Sequence, residues 1–199
     1  MSYLRPALVL LLLFTALTGL AYPFAVTGIG QAFFSAQANG SLVERDGRII
    51  GSDLIGQAFT SDRYFWPRPS ATSAADPTDP TKTVDAPYNA AASTGSNLGP
   101  TSSKLADRLT ASSEAWRKAG LSQQIPGDAV TTSGSGLDPH ISPAFAKAQV
   151  ARIASARNMS EAQVRQVIET ATEGRTFGLL GEPRVNVLRV NRALDKLGS

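Results

Sequence analysis

Residues 7–29 read ALVLLLLFTALTGLAYPFAVTGI, a nearly unbroken apolar run inside a stretch, residues 6–43, that carries no charge. A bilayer core about 30 Å thick needs roughly 20 helical residues, and this run supplies that length. It decides the architecture: one N-terminal transmembrane helix, then a separate domain. Tyr3 and Tyr22 fall where interfacial aromatics are useful, and Pro23 should kink the helix near its outer end. Arg5 is the only charge beside the run until Glu44 and Arg45. Positive charge is retained on the cytoplasmic side, so the N-terminus is expected inside and the domain outside. A cleaved leader is the rival reading, with Arg5 as its basic end, Leu8 to Phe14 as its apolar centre and Gly19-Leu20-Ala21 before the cut. Against it, apolarity continues past that site and Pro23 would sit second after the cut.

The composition narrows the function classes. There are 19 Lys and Arg against 16 Asp and Glu, a net charge of +3. No basic cluster goes with this excess, and a nucleic-acid partner needs a concentrated basic face. The absence of cysteine excludes disulfides, thiolate metal sites and a cysteine nucleophile, and a single histidine, His140, excludes a His-rich metal site. No spaced Asp/Glu loop of the calcium-binding kind is present. No metal and no tightly bound cofactor are therefore expected.

The expected fold class is α+β: the membrane helix with its short N-terminal flank over 1–35, and an extracytoplasmic domain of short strands and three or four helices over 36–199. Asp46-Gly47 between Leu42-Val43 and Ile49-Ile50 predicts a β-hairpin. Ile55-Gly56-Gln57-Ala58-Phe59 repeats Ile29-Gly30-Gln31-Ala32-Phe33, but two copies with different flanks make no solenoid. Residues 64–70, YFWPRPS, read either as a core plug on an extended segment or as a docking surface of hot-spot composition. Residues 70–103 have loop chemistry, with Asp76-Pro77, Asp79-Pro80 and Gly99-Pro100. A connection this long is either mobile or a contact element.

Helical signals follow. Thr101 or Ser102 can cap a helix whose stripe is Leu105, Leu109, Ser112 and Trp116, stopping at Gly120. Pro126-Gly127-Asp128 should turn the chain into a strand at Ala129 to Thr132. Ser142 is an N-cap with Pro143 in the first helical position, opening a helix to about Arg157. Ser160 and Gln163 form a capping-box pattern for a helix with stripe Val164, Val167, Ile168 and Ala171, ending at Gly174. Arg184 to Leu188 reads as a strand, and Asn191 as the cap of a last short helix to Leu197.

The stretch with most chemical potential is Ser133-Gly134-Ser135-Gly136-Leu137-Asp138-Pro139-His140-Ile141-Ser142. Three readings compete. An exported serine hydrolase would use Ser135 and His140, but the nucleophile-elbow order Gly-x-Ser-x-Gly is missing. A small nucleotide-binding module would present the N–H groups of Ser133, Gly134, Ser135 and Gly136 to phosphate, without a lysine to strengthen it. The structural alternative is a tight turn leading into a helix.

Several ordered blocks carry a family resemblance. They are Tyr22-Pro23 with Val26-Thr27-Gly28-Ile29-Gly30-Gln31, then Gly51-Ser52-Asp53-Leu54-Ile55-Gly56-Gln57, Tyr64-Phe65 with Arg68-Pro69-Ser70-Ala71, Tyr88-Asn89, Gly95 to Pro100, Ser135 to Ser142, and Val185-Asn186-Val187-Leu188. In these the chain resembles KdpC, the C subunit of the Kdp potassium-transporting P-type ATPase, over nearly its whole length. The resemblance implies a bacterial inner-membrane complex with a channel-like potassium-binding subunit, an ATP-hydrolysing P-type subunit and a small single-helix subunit. Potassium would be the transported ion of the complex. The chain lacks Asp-Lys-Thr-Gly and so is not the hydrolysing subunit; it is expected to have no catalytic residue of its own. The family role is a catalytic chaperone that raises the ATP affinity of the hydrolysing subunit, which leaves ATP as a ligand implied by resemblance alone. Residues 132–136, TSGSG, lack the closing Gln of the transporter signature to which this block has been likened. Partner contacts are expected at Tyr22, Pro23, Gly28, Gly30, Gln31, Tyr64, Phe65, Arg68, Asn97, Asp138 and His140. A domain outside the membrane cannot hand nucleotide to a cytoplasmic site, so any effect on ATP must travel through the complex.

Overall fold

A computed structural model describes residues 3–121 and 124–197. The chain divides into two units, at residues 1–50 and 51–199.

The first unit is dominated by a continuous helix, Leu4–Phe33, long and apolar enough to cross a membrane, with none of its most apolar window buried by protein. It comprises α1 (Leu4–Ala16), a π-turn (Leu17–Ala21) and α2 (Tyr22–Phe33). The π-turn sits directly before Pro23, and the two are physically linked. The Tyr22 N–H donates to the Leu17 carbonyl, five residues back. Pro23 has no N–H, so the Thr18 carbonyl has neither an i+4 nor an i+5 backbone donor. The Thr18 hydroxyl donates to the Phe14 carbonyl at 2.6 Å, covering one helical carbonyl in this region a second time. A single turn, α3 (Ser35–Ala38), follows. The expected hairpin is then found: β1 (Leu42–Arg45) and β2 (Arg48–Ser52) form a two-stranded sheet. Asp46 at φ 52° and Gly47 at φ 73° both take the left-handed conformation that a tight hairpin turn requires.

The second unit is α+β. Its elements are β3 (Ser73–Ala75), β4 (Thr83–Asp85), α4 (Ser103–Lys118), α5 (Gly127–Val130), β5 (His140–Ile141), α6 (Pro143–Ala148), α7 (Val150–Arg157), α8 (Glu161–Ala171), β6 (Thr172–Glu173), β7 (Arg184–Asn186) and α9 (Val187–Leu197). A three-stranded antiparallel sheet has β7 in the middle, with Ile141 opposite Val185 on one side and Thr172 opposite Val185 on the other. Helices α6 to α9 pack with it around Phe145, Val150, Ile153, Val164, Ile168, Val185, Val190 and Leu194, all 1% exposed or less. Burying each such side chain contributes roughly 1.5–3 kcal/mol. Trp116, from the inner stripe of α4, completes the core. Its ring meets Phe145 edge-on at 5.0 Å, lies 5.2 Å from Trp66, and its indole N–H donates to the Ala129 carbonyl at 2.8 Å.

Two caps act as the sequence predicts. The Ser142 hydroxyl accepts from the Phe145 N–H, and Ser160 with Gln163 makes a reciprocal capping box. Four expectations are corrected. The segment at 129–132 is not a strand: α5 takes 127–130, because Thr131 folds its hydroxyl back onto the Gly127 carbonyl and Asp128 turns inward to Ser142. The helix from Pro143 is broken at Gln149, whose buried side chain serves another segment. Helix α8 ends at Ala171 instead of running to Gly174, since Thr172 and Glu173 join β7. The strand at 184–188 stops at Asn186, and the last helix begins at Val187, so Asn191 is an interior residue of α9 and not its cap. Within residues 70–103, β3 and β4 pair with Ala74 opposite Val84. Asp76 and Asp79 each bind the N–H and hydroxyl of the threonine two residues on, which shapes the turn between these strands.

Candidate functional site

The sequence-predicted site residues of the second unit fall into two groups. The first is the aromatic segment. Phe65 is fully buried, so it is a core plug and offers nothing to a partner. Its N–H and carbonyl are both bonded by the Asn191 amide, at 2.7 and 3.0 Å. The next residue, Trp66, is bonded the same way by Gln149, at 2.8 and 3.1 Å. The Arg152 guanidinium stacks 4.0 Å over the Trp66 ring and donates to the Tyr64 carbonyl and to Gln149 Oε1. Burial pushes Arg152 down to about 10, partly opposed by Asp62. Tyr64 is half-buried, with its hydroxyl on Asp195 at 3.3 Å and Arg157 4.9 Å over its ring. These contacts make 64–66 an internal segment whose backbone partners are side chains.

The second group is a joint built from three separated segments, 68–72, 86–95 and 133–140. The Ser70 hydroxyl donates to the Gly136 carbonyl at 2.7 Å and accepts from the Tyr88 N–H at 3.0 Å. The Thr72 hydroxyl donates to the Ala86 carbonyl and accepts from the Asn89 N–H. The Thr94 N–H and the Ser93 hydroxyl both reach the Ser135 carbonyl, each at 3.0 Å. Glycines let these backbones touch. A Cβ on Gly136, which sits at φ 68°, would lie 2.7 Å from the Thr94 carbonyl oxygen, and one on Gly95 would lie 2.8 Å from the Gly134 oxygen. A Cβ on Gly56 would collide with the Tyr88 ring, and the Gly56 N–H donates to the Leu137 carbonyl at 2.8 Å.

Arg68, Asp138, His140 and Tyr88 meet at the edge of this joint. Arg68 Nη1 lies 3.1 Å from Asp138 Oδ2, and His140 Nδ1 lies 3.4 Å from Asp138 Oδ1. The His140 N–H donates to that same Oδ1 at 2.9 Å. Burial raises the Asp138 carboxyl, but the two His140 hydrogen bonds and the Arg68 charge outweigh it and hold the group below its ordinary value. Burial, helped by the nearby Asp138 charge, pushes the Tyr88 hydroxyl well up. That hydroxyl donates to the Arg68 carbonyl at 2.8 Å.

Both serine hydroxyls of the serine-glycine block bind backbone N–H groups within this joint. The Ser133 hydroxyl accepts from the Gly136 N–H at 2.9 Å, and the Ser135 hydroxyl accepts from the Leu137 N–H at 3.1 Å. Among the described residues no hydrogen bond joins Ser135 to His140. Ser133 and Gly136 are buried, while Gly134 and Ser135 are exposed. Asn97 is exposed at φ 50°. In the first unit, Tyr22, Pro23, Gly28 and Gln31 are exposed and Gly30 is half-buried; Gln31 exchanges amide hydrogen bonds with Asn39.

The family model described as KdpC, K+-transporting ATPase c chain, matches residues 4–196. The chain belongs to the KdpC family. Among the relatives, the potassium-transporting ATPase KdpC subunit of Bradyrhizobium diazoefficiens is 60% identical over 193 residues, covering 97% of this chain and 96% of that one. The KdpC subunit of Methylorubrum extorquens is 60% identical over 197 residues, covering 99% and 98%. The resemblance seen in the separated blocks is thus a family relationship. The structure also shows what joins those blocks. Gly51–Gln57, Arg68–Ala71, Tyr88-Asn89, Gly95, Ser135–Ser142 and Val185–Leu188 touch one another. The Asn186 amide binds the Asp53 carbonyl at 2.9 Å and the Val187 N–H binds the Pro139 carbonyl at 2.9 Å, which close this set. Sequence reasoning missed Gln149, Asn191 and Thr72, which are buried polar residues without any local motif.

Proposed function

We propose that this KdpC-family chain is a non-catalytic accessory subunit of an ATP-driven potassium uptake complex. Leu4–Phe33 anchors it in the bacterial inner membrane, with the N-terminus in the cytoplasm and the α+β unit outside. There it serves as an external cap near the potassium entrance, bound to the channel-like, ATP-hydrolysing and single-helix subunits that the family implies. Potassium is the cargo of the complex. The observation that carries the non-catalytic reading is the commitment of the Ser133 and Ser135 hydroxyls to the Gly136 and Leu137 N–H groups. A nucleophile or a phosphate cradle needs those groups free, whereas a structural joint needs them used.

The chaperone effect, a higher ATP affinity of the hydrolysing subunit, then passes through subunit contacts. The decisive experiment compares potassium uptake and ATP affinity in membranes carrying the whole complex or one lacking residues 40–199 of this chain. Uptake at low potassium should fail and the apparent KM for ATP should rise in the truncated complex; normal uptake would sink the role. Titration of ATP into the full chain in mild detergent should give no heat at millimolar nucleotide. Protease accessibility in spheroplasts tests the sidedness, which rests on Arg5.

A further inference from the structure

The connection between β6 and β7 ends in an apolar tip that none of the described residues covers. Phe177 is 90% exposed, Leu179 81% and Leu180 63%. The tip is not a loose loop. The Thr176 N–H donates to the Leu180 carbonyl at 2.9 Å, and the Gly178 N–H donates to the Arg175 carbonyl at 3.0 Å. Phe177 is held at φ 55°, a conformation that a bulky residue rarely adopts, and is followed by Gly178 at 73° and Gly181 at 78°. At its base, Arg175 Nη2 contacts both carboxylate oxygens of Glu182 at 2.9 and 2.8 Å. Between that ion pair the sequence, TFGLLG, has no charge.

We infer that this tip inserts into the lipid headgroup region of the membrane in which the chain is anchored. A large exposed apolar group calls for a partner. The tip is exposed and braced by its own hydrogen bonds, as wedging between lipids requires, whereas a protein partner would need a matching pocket. An aromatic ring with two leucines above an arginine suits the interface, where apolar groups sink and the guanidinium stays at headgroup level. Lipid is also within reach. Residues 34–50, folded into α3 and most of the β1–β2 hairpin, are all that join the apolar helix to the second unit, so the link is shorter than the ~60 Å that 17 extended residues would span. The inference rests on the reading of Leu4–Phe33 as a membrane span.

The chain has no cysteine, so a single introduced cysteine takes a unique label. Full chain carrying Leu179→Cys, Thr81→Cys or Leu12→Cys, each labelled with an environment-sensitive fluorophore, is reconstituted in vesicles containing lipids spin-labelled at shallow or deep positions. The label at 12 reports the anchor: deep quenching there confirms the span independently. The label at 179 should be quenched at least twofold more than that at 81, by shallow spin labels most. If 12 is quenched and 179 is not, the inference is overturned while the anchor stands. If 179 responds only after the other pump subunits are added, the tip binds protein and the lipid assignment is likewise overturned. Phe177→Asp, at a site 90% exposed, should keep the circular dichroism spectrum and abolish quenching at 179.

Discussion

Asn191 and Gln149 grip consecutive residues of one extended segment, Phe65 and Trp66, each amide bonding both the N–H and the carbonyl of its residue. In extended chain, neighbouring residues direct these groups to opposite edges. Helix α9 therefore holds one edge and the break between α6 and α7 the other, so two side chains do the work of two flanking strands. Both amides are buried, at 2% and 0% exposure, and no water can replace them.

Removing either grip should be severe. Asn191→Leu leaves a buried N–H and a buried carbonyl without partners, at roughly 1–3 kcal/mol each. Thermal or urea unfolding of the full chain in detergent should show a loss of about 2–5 kcal/mol. Gln149→Leu should cost at least as much, because Arg152 also loses its acceptor at 2.6 Å.

The serine-glycine block makes opposite predictions at adjacent positions. Gly136→Ala places a Cβ 2.7 Å from the Thr94 carbonyl oxygen at a positive φ, and should destabilise by about 1–3 kcal/mol. At Gly134 a Cβ meets nothing within 4 Å, so Gly134→Ala should change the melting temperature little. Ser135→Ala removes one exposed turn bond and should leave both folding and potassium uptake close to wild type. A collapse of uptake in folded Ser135→Ala would restore a chemical role for the block.

Acid should loosen the joint through Asp138. Its folded-state value is depressed, so its contribution to stability is complete above the ordinary carboxylate range and is lost as pH falls through the lower folded value. Stability measured from pH 6 to pH 2 should therefore fall more steeply in wild type than in Asp138→Asn below about pH 4. Parallel curves would remove Asp138 from the account.

Ser142 does more than cap a helix. Its hydroxyl accepts from the Phe145 N–H while donating to Asp128, and its own N–H donates to Asp128 at 2.7 Å. Ser142→Ala should cost about 1–2 kcal/mol, at the upper end for a cap. The capping-box variant Ser160→Ala, on an exposed helix start, should cost about 1 kcal/mol or less. Paired denaturation curves would rank them.

What could be read from the residues alone was what rests on local chemistry. The length of the apolar run, the Asp46-Gly47 turn, the Ser142-Pro143 start and the Ser160-Gln163 box all act within a few residues, and each is found. What escaped reading depends on distant partners. Asn191 looks like a cap because a polar residue interrupts an apolar stripe, yet its partner lies 126 positions earlier. Val185 and Val187 alternate like a strand, but only Val185 pairs; the Val187 N–H turns to Pro139 and the helix begins. The 70–103 segment reads only as loop chemistry because part of its order comes from the Ser70 and Thr72 hydroxyls, which bind the Gly136 and Ala86 carbonyls and the Tyr88 and Asn89 N–H groups. The family blocks pointed to residues that matter without revealing that they converge.

The wide spacing of those two grips has a consequence for how the chain is made. Synthesis delivers Phe65 and Trp66 first, Gln149 much later and Asn191 later still. The middle strand of the three-stranded sheet, β7, also comes after both the strands it must join. The core cannot close completely before α9 has emerged, because Val190, Leu194 and the Asn191 grip all lie on it. A chain cut before α9 would keep Phe145, Ile153 and Ile168 but leave them without Val190 and Leu194 to close against and leave Phe65 without its amide partner.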